Sequence, residues 1–204
     1  MDENKLINER RRAIEKSVVF FSPRRKKDRE LWVVKEFLNN LGINFNNEEA
    51  KYSQEEPIDV VFRNANFQIK EIQERNRKRH KEFKDALKKA RCAKQFSELL
   101  TYSTPQEITL QEIANRMQEE LQSYIIDPAE LKNIDVLFYE NIGHWGISSV
   151  EYDLPDEWKK WRSVSMVGNG GVCFIFWARE NAPDFIRLNV GKLFRTTKKS
   201  LFNQ

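Results

Sequence analysis

The sequence is poor in cysteine, glycine and proline, and this composition argues against two classes of protein, zinc-stabilised domains and disordered chains. Among 204 residues there are two Cys, seven Gly and six Pro. Cys92 and Cys173 lie far apart with no CxxC or Cys/His neighbourhood, which predicts reduced, packed thiols and argues against a structural zinc site. Hydrophobic residues make up 40% and charged residues 32%, which argues against a disordered chain.

Long apolar runs are also missing. The longest is VCFIFWA at 172–178, which is far too short to cross a bilayer. The opening residues MDENKLINERRR lack the apolar centre of a signal peptide. We therefore expect a cytoplasmic protein with no membrane segment.

The charge is mildly basic but unevenly distributed. The net charge is +4, yet residues 75–94 hold ten Lys or Arg against two acids. Further basic runs lie at 10–12 and 24–27. Such clusters attract polyanions, and nucleic acid is the commonest large polyanion in a cytoplasm. A solvated helix face explains the same pattern, so charge alone leaves both interpretations open.

Hydrophobic spacing predicts a helix, then strands, then two more helices, then further strands. The clearest helix runs from residue 24 to a C-cap at Gly42, and Thr109 with Glu112 forms a capping box for a later one. The remaining predicted elements are a strand at 43–46, a hairpin of IDVVF and NFQIKEI, a basic helix near 83–93, a strand at 134–142, and a hairpin of RSVSMV and VCFIFWA.

This order predicts an α/β protein, with a mixed sheet flanked by helices. We expect a single domain over 1–204. Within it we expect an N-terminal helix at 1–22, a core at 24–142, and a C-terminal hairpin and tail at 143–204 as an elaboration.

The stretch PIDVVFRNANFQIKEI at 57–72 is patterned for burial but carries polar residues. Asp59 is on its first strand, and Gln68 and Lys70 share a face of the second. An ordinary hairpin with a solvated face explains this. The alternative is a site where they converge on a metal ion and a phosphate, because bound Mg²⁺ and a nearby lysine can supply the charge neutralisation and the activated water that phosphodiester hydrolysis requires. Glu30, on the preceding helix, can reach the same metal.

The combination of P-x-D, Gln-x-Lys, an upstream helical Glu and a downstream basic helix resembles the PD-(D/E)xK nuclease superfamily. That resemblance implies the restriction-endonuclease-like fold, a mixed sheet of about four core strands with helices on both sides. From roughly residue 20 to 195 the chain is also similar to a bacterial family of uncharacterised proteins described as endonucleases. RELWVVKEFLNNL, WRSVSMVG and NAPDFIRLNVGK carry that similarity.

The nuclease resemblance implies a role for each residue. Asp59 would be the principal metal ligand, Lys70 the catalytic lysine and Glu30 an accessory ligand. Gln68 would be the second catalytic and metal-binding residue, although its neutral amide oxygen binds Mg²⁺ or Mn²⁺ more weakly than the usual acid. Nucleic acid would be bound by six residues of the basic segment: Arg77, Lys78, Lys81, Lys84, Lys88 and Arg91.

Three functions follow from these patterns. The first is a Mg²⁺-dependent endonuclease that hydrolyses phosphodiester bonds in DNA. The second is a catalytically inactive nucleic-acid-binding protein with the same fold. The third is a protein-interaction or regulatory subunit whose basic helix binds an acidic partner. The resemblance also allows a homodimer, because many nucleases of this fold pair to cut both strands.

Overall fold

The computed structural model describes residues 2–74, 78–100, 106–123, 127–142, 144–168 and 171–195. Within these ranges it has six α-helices: α1 (Glu3–Phe20), α2 (Lys26–Asn40), α3 (Arg79–Cys92), α4 (Leu110–Gln122), α5 (Pro128–Leu131) and α6 (Asp184–Arg187). The same ranges contain nine strands: β1 (Ala50–Tyr52), β2 (Val60–Phe62), β3 (Ala65–Gln73), β4 (Gln106–Thr109), β5 (Asp135–Asn141), β6 (His144–Ser149), β7 (Ser163–Gly168), β8 (Val172–Ala178) and β9 (Leu193–Arg195).

The chain divides into two compact units. The helical unit comprises Met1–Arg29 and Arg75–Thr104, and the sheet unit comprises Glu30–Glu74 and Pro105–Gln204. The single domain expected over 1–204 stays a prediction.

The helical unit is built on α1 and α3. Its core is formed by Ile7 and Ile14 of α1 with Leu87 and Ala90 of α3. These residues recur at helical spacing on each helix, so each helix buries one apolar face against the other. Arg11 adds a polar link, since its Nε and Nη2 atoms donate to the Ala90 carbonyl oxygen at 3.3 and 3.2 Å.

The sheet unit contains a seven-stranded sheet in the order β1-β2-β3-β5-β7-β8-β9. The central strands β3, β5 and β7 are parallel, and the pairs on either side of them are antiparallel. All seven residues of β5 are buried, as is typical of a central parallel strand covered on both faces. The predicted mixed α/β architecture, with helices on both faces of the sheet, is therefore confirmed.

The two faces of this sheet have separate cores. On the α2 face, Val34 and Phe37 pack with Phe67 and Leu137. On the α4 face, Ile113 and Met117 pack with Ile72 and Phe138. Alternate residues of β3 and β5 thus enter opposite cores, so a side chain's face can be assigned from its position in the strand.

The predicted strand at 43–46 is wrong, because the chain there is irregular and the edge strand is β1. The backbone of Ile43 is used instead to end α2. Gly42 takes a positive φ of 70°, and the Ile43 N–H donates to the Leu38 carbonyl oxygen at 3.0 Å. The ring of Phe45 then packs edge-on against Phe62, with centroids 5.9 Å apart.

The predicted C-terminal hairpin forms as β7 and β8. It is part of the main sheet, because β7 pairs with β5 in parallel. In the described part of the chain, every helix is too short or too polar to cross a bilayer.

Candidate active site

Asp59 lies immediately before β2 and is tied to β3 by two hydrogen bonds. Its N–H donates to the Phe67 carbonyl oxygen at 2.9 Å. Its Oδ2 atom accepts from the Ile69 N–H at 2.7 Å. The neighbouring Val60 enters the α2 face, so strand alternation directs Asp59 towards the α4 face. The carboxylate is half-buried and its position is fixed.

Gln68 and Lys70 share the α4 face of β3, as the sequence predicted. β3 pairs with β5 without a register shift from Phe67 to Gln73, so the alternation holds along this stretch. Phe67 enters the α2-face core and Ile72 enters the α4-face core, which sets the direction of the residues between them. Lys70 is half-buried, whereas Gln68 is only 4% exposed.

The side-chain oxygen of Gln68 is an unusual atom. Oε1 is buried, and within the described residues it has no hydrogen-bond partner. Leaving a buried acceptor unsatisfied costs about 1–3 kcal/mol, so such atoms commonly bind a ligand, an ion or water. Asp59 lies opposite Gln68 when the β2–β3 pairing is continued by one residue. The structure therefore brings Asp59, Gln68 and Lys70 together on adjoining strands.

Glu30 lies elsewhere in the sheet unit. It is 7% exposed and stands one turn before Val33 and Val34, which are part of the α2-face core. Gln68 and Lys70 lie on the opposite face of the sheet. The structure therefore does not place Glu30 on their face, and its role as an accessory ligand stays a prediction.

These residues supply a donor set of the kind a hard cation prefers. Asp59 offers a carboxylate and Gln68 offers the buried Oε1 atom. Mg²⁺ is commonly held by one or two protein oxygens with waters completing its octahedron. Within the described ranges, no three His, Cys, Asp or Glu side chains cluster to hold a metal. A cation site here therefore depends on the amide oxygen of Gln68, because glutamine is not one of those four residue types.

A second polar group lies at the C-terminal ends of the parallel strands, and the sequence analysis missed it. Asn141 of β5 donates from Nδ2 to Glu71 Oε1 of β3 at 3.1 Å. Glu140 is 1% exposed, and its Oε1 accepts from the Ile142 N–H. The signal available in the sequence was the pair Glu-Asn directly after the apolar run VLFY, because this edge of an open α/β sheet commonly carries ligand-binding residues.

The N-terminal ends of the same strands hold a buried ion pair. Arg162 donates to both carboxylate oxygens of Asp135, and the Ser163 hydroxyl donates to Asp135 Oδ1 at 2.7 Å. The Asn66 N–H adds a bond to Oδ2 at 3.0 Å. Burial raises the pKa of Asp135, and Arg162 counteracts it. Every oxygen is engaged by the fold, so this pair is structural.

The predicted nucleic-acid residues belong to the helical unit. Lys81, Lys84, Lys88 and Arg91 are exposed on α3, and Lys78 is exposed immediately before it. Arg77 lies outside the described residues.

A family model described as "Putative endonuclease, protein of unknown function (DUF1780)" matches residues 2–200. The chain belongs to this family. The predicted similarity to a family of proteins described as endonucleases is thereby confirmed. No curated protein matches the chain.

The chain is also similar to a solved structure of a protein of unknown function from Pseudomonas aeruginosa strain PAO1, described as a member of the monooxygenase superfamily. The TM-score is 0.66 at 23% sequence identity, with 100% of each chain covered. At this identity the similarity shows a shared fold alone.

Proposed function

We propose that this chain is a metal-dependent endonuclease that hydrolyses phosphodiester bonds in DNA, with a Gln-x-Lys form of the PD-(D/E)xK site. One observation carries the proposal. The carboxylate of Asp59 is held against β3 by the Ile69 N–H at 2.7 Å, opposite Gln68, whose Oε1 atom is buried, and on the same face as Lys70. The family description supports the same activity.

The strand order also supports a restriction-endonuclease-like core. α2 precedes three antiparallel strands, β1, β2 and β3, and β5 then lies parallel to β3. α2 packs on one face of all four strands, and α4 packs on the opposite face of β3 and β5. The resemblance found in the sequence implies such a core, with Asp59 at the start of β2 and Gln68 and Lys70 on β3.

The roles proposed for the residues follow from their chemistry. Asp59 and Gln68 would hold Mg²⁺ or Mn²⁺. When bound, the cation supplies charge neutralisation at the phosphate and lowers the pKa of its water. Lys70 would direct its ammonium group to the phosphate oxygens, where negative charge increases in the transition state. The Ile69 N–H orients the Asp59 carboxylate.

Cation binding and DNA nicking of wild type and Asp59→Ala test the proposal together. Calorimetry with Mg²⁺ and Mn²⁺ measures binding, and plasmid relaxation measures nicking. Glu55→Ala is the matched control, because it removes an exposed acid four residues away. We expect wild type and Glu55→Ala to bind and nick, and Asp59→Ala to do neither. An Asp59→Ala protein that nicks as well as wild type would refute the assignment.

A non-catalytic nucleic-acid-binding protein is the second candidate. The neutral Gln68 favours it, because an amide is a weaker cation ligand than the carboxylate usual at that position. DNA binding that weakens with salt and is indifferent to Mg²⁺, without nicking, would support it. Absence of DNA binding at about 50 mM salt would instead support a regulatory subunit.

A further inference from the structure

Positive charge is concentrated in the helical unit. That unit holds 20 of the 35 Lys and Arg residues but only 8 of the 31 acids, so it carries +12 while the whole chain carries +4. The sheet unit correspondingly carries −8. A field of this size attracts polyanions to one part of the chain only.

Within the helical unit, α3 has two exposed flanks of different character. The basic stripe comprises Lys81, Lys84, Lys88 and Arg91, whose spacings of three and four place them on one side of the helix. It extends for about 15 Å, since an α-helix rises roughly 1.5 Å per residue. The other flank mixes Lys89 with the acids Glu82 and Asp85, so its charges largely cancel.

The lysines of the basic stripe are not neutralised by the protein. Across the described ranges, Lys81, Lys84 and Lys88 form no ion pair, and Arg91 lies 3.5 Å from Glu15. Three exposed ammonium groups therefore remain for an external anion.

The helix that carries the stripe is firmly held. The Arg79 guanidinium lies over the Phe21 ring, 3.7 Å from its centroid, and that ring stacks on Phe83 at 5.2 Å. Leu87 and Ala90 pack into the core of the unit. The lysines thus project from a fixed support, which reduces the entropy lost when they bind.

The stripe offers charge with little of the chemistry that discriminates between bases. Base edges are read chiefly by bidentate contacts, from Arg or Lys to guanine and from Asn or Gln to adenine, and of these groups the lysine ammonium also binds phosphate as a point charge. Residues 79–92 contain neither Asn nor Gln. The two arginines there are also engaged, because Arg79 is buried against the Phe21 ring and Arg91 is paired with Glu15. Single-strand binding generally uses exposed aromatic rings as stacking platforms. Phe83 is half-buried in its stack and therefore does not serve as one.

We propose that the basic stripe binds the phosphate backbone of duplex DNA without sequence preference. This rests on the proposed nucleic-acid function but is independent of the metal site. Duplex DNA presents one charge per roughly 1.7 Å of axis, twice the density of one strand, so a surface that recognises charge alone favours it. At about 15 Å, the stripe is also long enough to span a major groove roughly 12 Å wide, which allows contacts with the backbones on both sides.

The test compares two variants that each remove two positive charges from this segment. Lys84→Gln/Lys88→Gln alters the stripe. Lys89→Gln/Lys94→Gln is the control, because both residues are exposed and lie outside the stripe. Binding is measured with chelator present, on two duplexes of unrelated sequence of about 30 base pairs, on one component strand, and on duplex RNA of the same length.

We expect the wild type to bind both DNA duplexes equally and more tightly than the single strand or duplex RNA. The stripe variant should lose roughly tenfold or more in affinity at about 0.1 M salt, and its log–log salt slope should fall by about 1.8. The control should behave as wild type. Equal effects of the two variants, tighter binding of the single strand or of RNA, roughly tenfold sequence discrimination, or no DNA binding would each overturn the proposal.

The outcome separates this proposal from that of the nuclease. Plasmid cutting by Asp59→Ala is measured alongside DNA binding by the stripe variant. Loss of cutting in Asp59→Ala together with unchanged binding in the stripe variant would overturn the binding surface and leave the nuclease intact. Loss of binding in the stripe variant, with no cutting by wild type under any metal, would support the surface and overturn the nuclease.

Discussion

The Oδ2 atom of Asp59 accepts a hydrogen bond from the backbone N–H of Ile69 at 2.7 Å, at the point where β2 begins beside β3. The carboxylate thus has a structural role besides its proposed role as a ligand. A variant that removes this carboxylate changes both the stability of the fold and the proposed cation binding, and these two effects need to be separated.

Asp59→Asn and Asp59→Ala should separate them. Alanine leaves the Ile69 N–H without this acceptor, which costs about 1–3 kcal/mol of unfolding free energy. Asparagine retains a carbonyl oxygen at the same place, so most of that stability should be recovered while the negative charge is lost. Urea denaturation measures the stability, and calorimetry with Mg²⁺ measures cation binding. An Asn variant as unstable as the Ala variant would contradict this assignment of the hydrogen bond.

Arg162→Met should be severely destabilising. It leaves the buried carboxylate of Asp135 without its cationic partner, and breaking one side of a buried pair costs about 3–5 kcal/mol. Arg187→Met is the control, because its pair with Asp184 at 2.8 Å is exposed and such pairs contribute about 0–1 kcal/mol. Thermal unfolding of both variants checks the contrast, and similar melting temperatures would contradict it.

Glu36→Gln should stabilise the protein in a pH-dependent way. Burial raises the pKa of Glu36 above its ordinary value of 4.5, so the folded chain keeps this proton to a higher pH than the unfolded chain. Stability is therefore lost as pH rises from the unfolded pKa to the raised folded pKa, and the loss is complete above it. We expect the variant to be about 1 kcal/mol more stable at roughly pH 7, with the difference vanishing by about pH 4.

Urea denaturation at several pH values measures that difference. The same substitution at the exposed Glu48 is the control. A difference that stays constant over the whole pH range would show that the ionisation of Glu36 is not coupled to folding.

The two cysteines should react very differently with a thiol reagent. Burial raises the pKa of Cys173 to about 12, whereas Cys92 is exposed. Because the thiolate is the reactive form, the native protein should show one reactive thiol and the denatured protein two. Cys92→Ser should show none when native and one when denatured. A second fast thiol in the native wild type would contradict the burial of Cys173.

The sequence predicted correctly those features whose geometry depends only on residues close together in the chain. The capping box of Thr109 and Glu112 formed as expected, with the Glu112 N–H donating to Thr109 Oγ1 at 3.1 Å. The alternation that places Gln68 with Lys70 was also confirmed, because β3 pairs with β5 without a shift. Both features are set within a few residues of sequence, where hydrophobic period and capping chemistry are strong signals.

Other features depend on residues far apart in the chain and were not predictable. The bond between Glu71 and Asn141 joins positions 70 residues apart, and the burial of Gln68 depends on what the α4 face packs against it. The edge strands β1 and β9 have three residues each, too few to show an alternating pattern. The shared core of α1 and α3 likewise joins two distant segments, and nothing local in either one identifies its partner.

The helical unit is assembled from two stretches of chain with 45 residues of the sheet unit between them. During synthesis, α1 therefore emerges with its apolar face uncovered and remains so until α3 has followed. A gene fragment that starts after α1 would leave Leu87 and Ala90 exposed beside the lysines of α3. Such a helix, apolar on one side and cationic on another, is the kind that adsorbs to anionic lipid surfaces. By covering Leu87 and Ala90, α1 thus keeps α3 from presenting an apolar face beside its lysines.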